Sequence, residues 1–197
     1  MTENSLPAPE PLLRCVGRDE MPEDLRPVWD AGMARTGEAK VIEVFANAPH
    51  MMKWYFEGFY RDVFYAGIVD RRTKEILRLK LSKQHGCYFC NRFNTVDALE
   101  AGLSQEQIDA VLEPDAACWD DKDRAVIALG HQMMLQNMDG ELTGPLYDAL
   151  RNWYSDAELV EIGFVAAVLT GMAKFLFVFD LVTKETVCPV RPRIAAE

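Results

Sequence analysis

The chain has 197 residues, of which 49 % are hydrophobic and 10 % aromatic, enough for one compact domain with a sizeable core. Its net charge of −10 argues against a surface for nucleic acid or for anionic membranes, because both are bound through Lys and Arg. Five cysteines in a chain of this length do not form a disulfide-rich secreted scaffold. The first twelve residues lack the features of a secretory signal, so a cytoplasmic location is expected.

The two ends of the chain are predicted to lie outside the helical domain. Segment 1–22 contains four of the ten prolines, which favours an extended N-terminal arm. Segment 186–197 includes Pro189-Val190-Arg191-Pro192-Arg193 and is predicted to be a non-helical tail. Residues 23–185 are expected to form a single all-helical domain.

Helix signals succeed one another through this domain, and no convincing alternating strand interrupts them. Capping residues, apolar periodicity and helix breakers predict helices at about 24–33, 41–65 (one or two helices), 71–84, 87–101, 104–112, 121–136, 143–153 and 155–179. Asp70 is the expected cap of the helix at 71–84, and Ser104 and Ser155 each begin a capping box. Short connections indicate antiparallel helix hairpins, so the predicted fold class is all-α, a helical bundle.

The apolar run Ile162–Phe179 is the only segment long enough to be considered as a membrane span. Lys174 lies within it and acidic residues flank it on both sides, which favours a buried helix instead. Burial at an interface with another subunit is the expected arrangement, and no association with a membrane is expected.

Two cysteines of a C-x-x-C motif, Cys87 and Cys90, follow Gly86 at a predicted helix start. The spacing places both sulfurs within one turn, where unpaired amides and the helix dipole favour the thiolate. A lowered thiol pKa activates a cysteine as a nucleophile, so the motif fits a reversible dithiol/disulfide couple. Two other interpretations stay open: packing as small apolar side chains, or half of a zinc site. Since His85 alone leaves that zinc site incomplete, no metal and no other cofactor is expected.

Glu75 extends this site if the helices before and after Gly86 pack against each other in antiparallel fashion. Position 75 then faces position 94 or 95, and Cys90 lies one turn nearer the connection. A carboxylate, the residue at 94 and the Cys90 sulfur would form a proton path. The alternative for Glu75 is a solvent-exposed pair with Arg71, Arg72 or Arg78.

His85 lies two residues before Cys87, in the predicted turn. A positively charged imidazole there would lower a thiol pKa, or the side chain would serve as a proton donor. Its position in the turn favours a third interpretation, in which His85 is simply an exposed residue. The Met and aromatic residues at 51–65 are predicted to form core, or to wall a hydrophobic substrate cavity beside the cysteines.

The stretch Arg71-Arg72-Thr73-Lys74-Glu75, then Gly86-Cys87-x-x-Cys90, then Ala98-Leu99-Glu100-Ala101-Gly102-Leu103 resembles the carboxymuconolactone decarboxylase superfamily, and within it the alkylhydroperoxidase D-like branch. That branch has a Glu, then a C-x-x-C, then a His four residues past the second cysteine. Here the Glu precedes the first cysteine by twelve residues, which matches. Asn94 stands in place of the relay histidine, and Phe89 stands where such peroxidases often have another histidine.

The resemblance implies an all-helical fold that assembles into dimers, trimers or hexamers. It implies that Cys90 is the peroxidatic cysteine, which an organic hydroperoxide oxidises to a sulfenic acid, and that Cys87 resolves it as a disulfide. Glu75 would belong to the proton relay, and a thiol reductant would restore the dithiol. Asn94 can orient a group by hydrogen bonding but cannot shuttle a proton. Its presence motivates the alternative of a non-redox family member, either a lyase or isomerase or a small-molecule binder.

Overall fold

The computed structural model describes residues 8–185, which form a helical bundle. In chain order the α-helices of this part are α1 (Arg26–Thr36), α2 (Lys40–Phe45), α3 (Pro49–Lys53), α4 (Arg71–His85), α5 (Tyr88–Glu100), α6 (Gln105–Asp109), α7 (Asp121–Gln132), α8 (Gly144–Arg151) and α9 (Asp156–Val178). A π-helical segment, Trp54–Tyr65, continues α3, and two short 3-10 helices, Arg18–Glu20 and Glu23–Leu25, precede α1. Between residues 8 and 185 there is no β-sheet, so the all-α prediction is confirmed.

The central helix of the bundle is α4, which packs against α5, α7 and α9. Twelve of its fifteen residues are buried, and apolar ones such as Ile76 and Leu77 enter the main hydrophobic core. As predicted, Asp70 caps this helix, since its carboxylate accepts the Thr73 amide at 2.9 Å. The cap satisfies one of the amides that a helix start leaves unpaired.

Two charged residues of α4, the buried Lys74 and the partly exposed Arg72, pair with residues of neighbouring helices. The Lys74 ammonium lies 2.7 Å from a carboxylate oxygen of Glu161 on α9. Arg72 donates two hydrogen bonds to Asp123 on α7, at 2.5 and 2.7 Å. Because an unpaired buried charge is costly, these pairs restrict how α4 can pack against α7 and α9.

The helix boundaries differ from the sequence prediction in several places, although both predicted capping boxes are present. The region 41–65 is divided into α2, α3 and the π-helical segment. α1 begins two residues late because Glu23–Leu25 forms a 3-10 turn, and α6 ends three residues early. α7 ends at Gln132, four residues early, where the Asn137 side chain donates to the His131 carbonyl at 3.1 Å. If the helix continued, the His131 carbonyl would accept a backbone amide, and here it accepts the Asn137 side chain instead.

The described part of the N-terminal arm, residues 8–22, packs along the domain. The Val16 amide donates to the Glu43 carbonyl of α2 at 3.1 Å, and Met21 is buried in a small core with Val16. Residues 1–7 of the arm and the predicted tail, residues 186–197, lie outside the described residues.

α9 is apolar along its length and only partly buried. Ile162, Val165 and Ala166 lie in the main core, whereas Val160 and Phe164 are exposed. Among the described helices, α9 has the length and hydropathy of a membrane-spanning helix, a test that core helices of soluble proteins also pass. A single chain therefore leaves part of this helix exposed. Burial of the exposed face against another copy stays a prediction.

Candidate active site

A tight reversal between α4 and α5 positions the C-x-x-C motif. α4 ends at His85, and Gly86 adopts a left-handed conformation with φ of 70° that terminates it, as the sequence predicts. The amides of Gly86 and Cys87 donate to the carbonyls of Lys83 and Ser82, both at 3.2 Å. A side chain at position 86 would be strained in this conformation, so glycine allows the chain to pass directly from one helix into the next.

Cys87 and Cys90 form a disulfide at the start of α5. Cys87 is the N-cap residue, and its sulfur accepts the Cys90 amide at 3.1 Å. After reduction, this amide and the partial positive charge of the helix start would stabilise a Cys87 thiolate. The two residues differ in exposure, since Cys87 is 1 % exposed and Cys90 is half-buried.

Residues 181–185 cover Cys87. Lys184 pairs with Cys87 in an isolated β-bridge, and the Glu185 amide donates to the Gly86 carbonyl at 2.9 Å. The apolar residues at 181 and 182 belong to the same small hydrophobic cluster as Cys87. This cover leaves Cys90 as the more accessible of the two cysteines.

A cavity of about 420 Å³ lies beside the disulfide, and both cysteines contribute to its wall. The aromatic residues of the wall are Tyr55, Phe56, Tyr60, Tyr65, Phe89 and Phe93. The aromatic residues of the 51–65 region thus have both predicted roles, because Phe59 and Phe64 lie in the core while their neighbours wall the cavity. The volume and the apolar wall are typical of a site for a small molecule.

Glu75 belongs to a buried cluster of charged residues next to this cavity. Its Oε2 accepts two hydrogen bonds from Arg78, at 2.9 and 2.6 Å, and its Oε1 lies 3.4 Å from Arg71. Arg78 also donates to Asp97 of α5 at 2.5 Å, and Asp97 pairs with Arg35 of α1. Arg78 and Asp97 lie on the cavity wall, so the fully buried Glu75 is connected to the cavity through Arg78.

The electrostatics of the cluster keep a positive charge at the cavity wall. Burial by itself lowers the pKa of Arg78, but Tyr60 and the carboxylates of Glu75 and Asp97 hold it above its ordinary value. Burial raises the pKa of Glu75, and the Arg78 guanidinium opposes that shift. Arg78 is therefore permanently charged, and part of its side chain borders the cavity.

The structure separates the residues of the predicted proton path. Asn94 and Cys90 both lie on the cavity wall. Within residues 8–185, the hydrogen bonds of Glu75 go to arginines and none joins it to Asn94 or Cys90. Glu75 is linked instead to Asp97 of α5, through Arg78. The predicted proton path through residue 94 is therefore not continuous in the disulfide-bonded state. Of the alternative for Glu75, the pairing with arginine is present, but the solvent exposure is wrong, because the carboxylate is fully buried.

The expected antiparallel packing of the hairpin is confirmed. Arg71, at the start of α4, donates to Glu100, at the end of α5, at 3.3 Å. Sequence analysis considered Arg78 only as an exposed partner of Glu75, and it missed Asp97 and Arg35. The three-residue spacing from Glu75 to Arg78 is a local signal for that pair, whereas Arg35 lies on a distant helix and leaves no signal in the sequence.

His85 is 2 % exposed, so the expectation of an exposed turn residue is wrong. Its Nε2 accepts the Leu135 amide at 3.1 Å, and its Nδ1 is buried with no hydrogen-bond partner among the described residues. Burial lowers the pKa of His85 to about 4. The imidazole is therefore neutral near pH 7 and cannot lower a thiol pKa by its charge. The burial results from the segment after α7 packing over the end of α4, a long-range contact.

The other candidate ligands and nucleophiles are dispersed. Among the described residues, no group of three or more His, Cys, Asp or Glu side chains could hold a metal ion. Cys15 and Cys118 are free thiols, and Cys188 lies outside the described residues. His50 and His131 are exposed.

The fold and the site define an all-helical protein with a redox-capable dithiol beside an apolar cavity. Residues 49–119, which include α3 to α6 and both cysteines of the motif, match the carboxymuconolactone decarboxylase family. The resemblance to this family that was inferred from the sequence is confirmed.

Solved structures share the fold at low sequence identity. A variant of the debrominase Bmp8 in complex with 2,3,4-tribromopyrrole is 17 % identical with a TM-score of 0.71, covering 93 % of this chain and 96 % of that one. A peroxidase-related protein from Silicibacter sp. TM1040 is 14 % identical with a TM-score of 0.70, covering 93 % and 95 %. An alkylhydroperoxidase AhpD core protein from Ralstonia eutropha JMP134 is 16 % identical with a TM-score of 0.66, covering 90 % and 94 %. No protein with a curated function matches the chain.

The variant Arg78→Met tests the buried charge cluster. It leaves Glu75 and Asp97 buried with one cation fewer, so we expect the free energy of unfolding to fall by about 3–5 kcal/mol. Denaturant titration measures the loss. Arg61→Met is the matched control, because Arg61 makes only exposed ion pairs and its loss should change the free energy of unfolding little. Equal losses in the two variants would contradict the stabilising role of the buried cluster.

The lowered pKa of His85 makes stability depend on pH. The folded side chain protonates near pH 4 and the unfolded one near its ordinary value of 6.5. Its contribution to stability is complete above about pH 6.5 and is lost as the pH falls towards 4, by up to about 3 kcal/mol. His85→Gln retains an acceptor for the Leu135 amide and does not titrate. Urea unfolding should show a steeper loss for the wild type than for His85→Gln below about pH 6.5, and parallel curves would contradict this assignment.

Proposed function

We propose that this chain is a dithiol peroxidase that reduces organic hydroperoxides through Cys87 and Cys90. The observation that carries the proposal is the disulfide between two cysteines on the wall of a cavity of small-molecule size. The family match and the AhpD-like fold support it. In this proposal the disulfide is the oxidised state of the reaction cycle.

The unequal environments of the two sulfurs support different roles for them. Cys90 is the more exposed cysteine and borders the cavity, which suits the attack on a bound hydroperoxide. Cys87 is covered, and its sulfur accepts a backbone amide that stabilises the thiolate. A stabilised thiolate is a good leaving group when an external thiol reduces the disulfide at Cys90. Cys90 is therefore peroxidatic and Cys87 resolving in this proposal.

The proposed reaction cycle needs only the two cysteines, the hydroperoxide and an external thiol, and no cofactor. The Cys90 thiolate attacks the terminal oxygen of the hydroperoxide and the O–O bond breaks, giving Cys90 sulfenic acid and an alkoxide that takes a proton from water. The Cys87 thiolate then attacks the Cys90 sulfur, forming the disulfide and releasing hydroxide. Two equivalents of an external thiol reduce the disulfide and become a disulfide themselves.

Charged and polar groups of the cavity wall assist the chemistry of Cys90 in this proposal. Arg78 places a permanent positive charge at the wall, which favours a thiolate. Glu75 holds Arg78 through two hydrogen bonds and is a positioning residue of the relay. Asn94 orients the peroxide or a water molecule by hydrogen bonding.

The surroundings of the site support a bulky substrate and a thiol partner. The apolar wall favours an organic hydroperoxide with a large hydrocarbon part over hydrogen peroxide. The reductant approaches from the side of Cys90, because residues 181–185 cover Cys87. The exposed apolar face of α9 favours a homo-oligomer. The proposal includes a cytoplasmic location, with neither nucleic acid nor membrane as a partner.

Substitution of each cysteine tests the proposal. In Cys90→Ser, consumption of cumene hydroperoxide with dithiothreitol as reductant should fall to the rate without protein, since the nucleophile is absent. Cys87→Ser should complete a first oxidation and accumulate a sulfenic acid on Cys90, which dimedone labels for mass spectrometry. Cys15→Ser, at an exposed free cysteine, is the control and should match the wild type.

Two results would contradict the proposal. Wild-type turnover in Cys90→Ser would remove the dithiol from the reaction and support a non-redox family member. A sulfenic acid on Cys87 in the Cys90→Ser variant, with Cys87→Ser unreactive towards the hydroperoxide, would reverse the roles of the two cysteines.

A second candidate function is reductive dehalogenation of an aromatic compound. The six aromatic residues of the cavity wall favour it, as does the fold shared with a debrominase solved with a bromopyrrole. The Cys90 thiolate would attack the bromine, leaving a carbanion that takes a proton from water, and the Cys87 thiolate would displace bromide to form the disulfide. With 2,3,4-tribromopyrrole and dithiothreitol, ion chromatography should then detect bromide released by the wild type and not by Cys90→Ser. No release above the protein-free control would exclude this candidate.

A further inference from the structure

The cavity beside the disulfide opens at the connection between α1 and α2, and we call this open end the mouth. Its wall residues there, Arg35, Glu38 and Lys40, are exposed or half-buried, whereas Leu81 and Cys87 of the same wall are buried. Charged side chains therefore surround the mouth, and apolar ones enclose the interior. A molecule that enters the cavity from this end meets the charges first.

The turn between α1 and α2 determines where these charges lie. Gly37 follows α1 with a φ of 69°, the left-handed conformation that ends the helix. The hydroxyl of Thr36 accepts the Glu38 amide at 3.1 Å, which orders the turn. As a result α2 begins at Lys40, only a few residues after Arg35. Both cations are therefore at the same end of the cavity.

The guanidinium of Arg35 is fixed at one nitrogen and accessible at the others. Its Nη2 donates to one oxygen of Asp97, whose other oxygen accepts Arg78 at 2.5 Å. Asp97 is thus shared between two arginines. The Arg35 side chain is 47 % exposed, and its Nε and Nη1 donate to no acceptor among the described residues. These free donors can be reached by an anion, and the planar guanidinium suits a carboxylate.

The ammonium of Lys40 is hydrogen-bonded to a neutral group. Its Nζ donates to the carbonyl of Pro9 in the N-terminal arm, and it makes no ion pair with any described carboxylate. Asp180 acts on it only at longer range, and that carboxylate already accepts the Glu10 amide at 2.8 Å and lies 3.4 Å from Lys184. Since a carbonyl does not neutralise an ammonium, Lys40 can pair with an anion at the mouth.

We propose that Arg35 and Lys40 form a binding site for the carboxylate of a substrate whose apolar part occupies the cavity. The guanidinium donates to the carboxylate through its free nitrogens, and the ammonium supplies a second positive charge. The inference rests on the proposed peroxidase function and specifies its substrate class: an organic hydroperoxide that also carries a carboxylate. The rest of the molecule extends along the wall that Cys90 borders.

The other features of the protein favour a single carboxylate joined to an apolar group. Glu38 is exposed at the mouth without an ion pair to any described residue, so it opposes a second negative charge. The net charge of −10 repels anions from the rest of the surface. The apolar wall adds affinity for a hydrocarbon or aromatic group, which an inorganic anion lacks. The site therefore selects a monoanionic, amphipathic molecule over phosphate or hydrogen peroxide.

Three substitutions that each remove one positive charge test the site. The amides introduced by Arg35→Gln and Lys40→Gln are still hydrogen-bond donors for Asp97 and for the Pro9 carbonyl. Arg61→Gln is the matched control, because Arg61 is exposed and is not part of the cavity wall. The probes are 4-phenylbutyrate and 4-phenyl-1-butanol, which share a ring and a chain and differ in charge. Both are added to the disulfide form, so no turnover is required.

We expect 4-phenylbutyrate to bind Arg35→Gln and Lys40→Gln each about fivefold more weakly than the wild type, because an ion pair at a partly exposed site is lost. The alcohol should bind all four proteins equally, so the comparison isolates the charge. Added salt should weaken binding of the acid and not of the alcohol, since salt screens exposed charges. Calorimetry measures the affinities.

Turnover tests the substrate class itself. With linoleic acid hydroperoxide and dithiothreitol, KM should be about fivefold higher for Arg35→Gln than for the wild type, with kcat unchanged, because the lost contact is the same in the ground state and the transition state. The methyl ester of this hydroperoxide has no carboxylate, so its KM should be equal for the two proteins.

Unchanged affinity of either mouth variant for 4-phenylbutyrate, an equal loss for both probes, or an equal loss in Arg61→Gln would overturn the inference. If one mouth variant does not fold, the other decides. These outcomes are independent of the cysteine variants. If Cys90→Ser abolishes peroxide reduction while the mouth variants bind both probes as the wild type does, the peroxidase proposal stands and only the carboxylate site is rejected.

Discussion

The pairing of buried charges along α4 is the constraint on which the rest of the structure depends. α4 is the most enclosed helix, and it carries arginine and lysine side chains into the interior. Its pairs reach three neighbouring helices: Arg72 to Asp123 on α7, Lys74 to Glu161 on α9, and Arg78 to Asp97 on α5. Since an unpaired charge inside a protein is far more costly than a displaced methyl group, these pairs permit few alternative registers. The C-terminal end of α4 is thereby held in place, and the reversal at Gly86 carries that placement to the disulfide.

The site combines a dithiol with groups that do not change charge near neutral pH. Arg78 stays positive because carboxylates surround it, and His85 stays neutral because it is buried. A relay that passes a proton through a titrating histidine is absent from position 94. The cavity wall offers instead a fixed charge and an amide side chain, which are groups that bind and orient. This makes substrate positioning the main contribution of the protein to the proposed chemistry.

Features that depend on a few neighbouring residues were predicted correctly from the sequence, whereas features that depend on side-chain packing were not. The cap at Asp70, the reversal at Gly86 and the N-terminal placement of Cys87 were all predictable, because each depends on a few neighbouring residues. The π-helical geometry of 54–65 and the early end of α7 were not, since crowded aromatic packing and the Asn137 side chain override local preference there. In the candidate site, the sequence singled out Glu75 and offered neighbouring arginines as its partners, but it did not predict that the carboxylate is buried. Arg35, which pairs with Asp97 of the same cluster, comes from a helix 62 residues earlier in the chain.

By itself, the sequence determined the all-helical class, the hairpin that presents two cysteines at a helix start, and the family that residues 49–119 match. These depend on spacing and on backbone preferences that act within one or two turns. Only the tertiary structure decided that Cys87 is covered, that His85 is buried and neutral, and that Glu75 is connected to the cavity through Arg78. The physical reason is that burial and charge pairing are set by segments remote in the chain, which meet only when the helices pack.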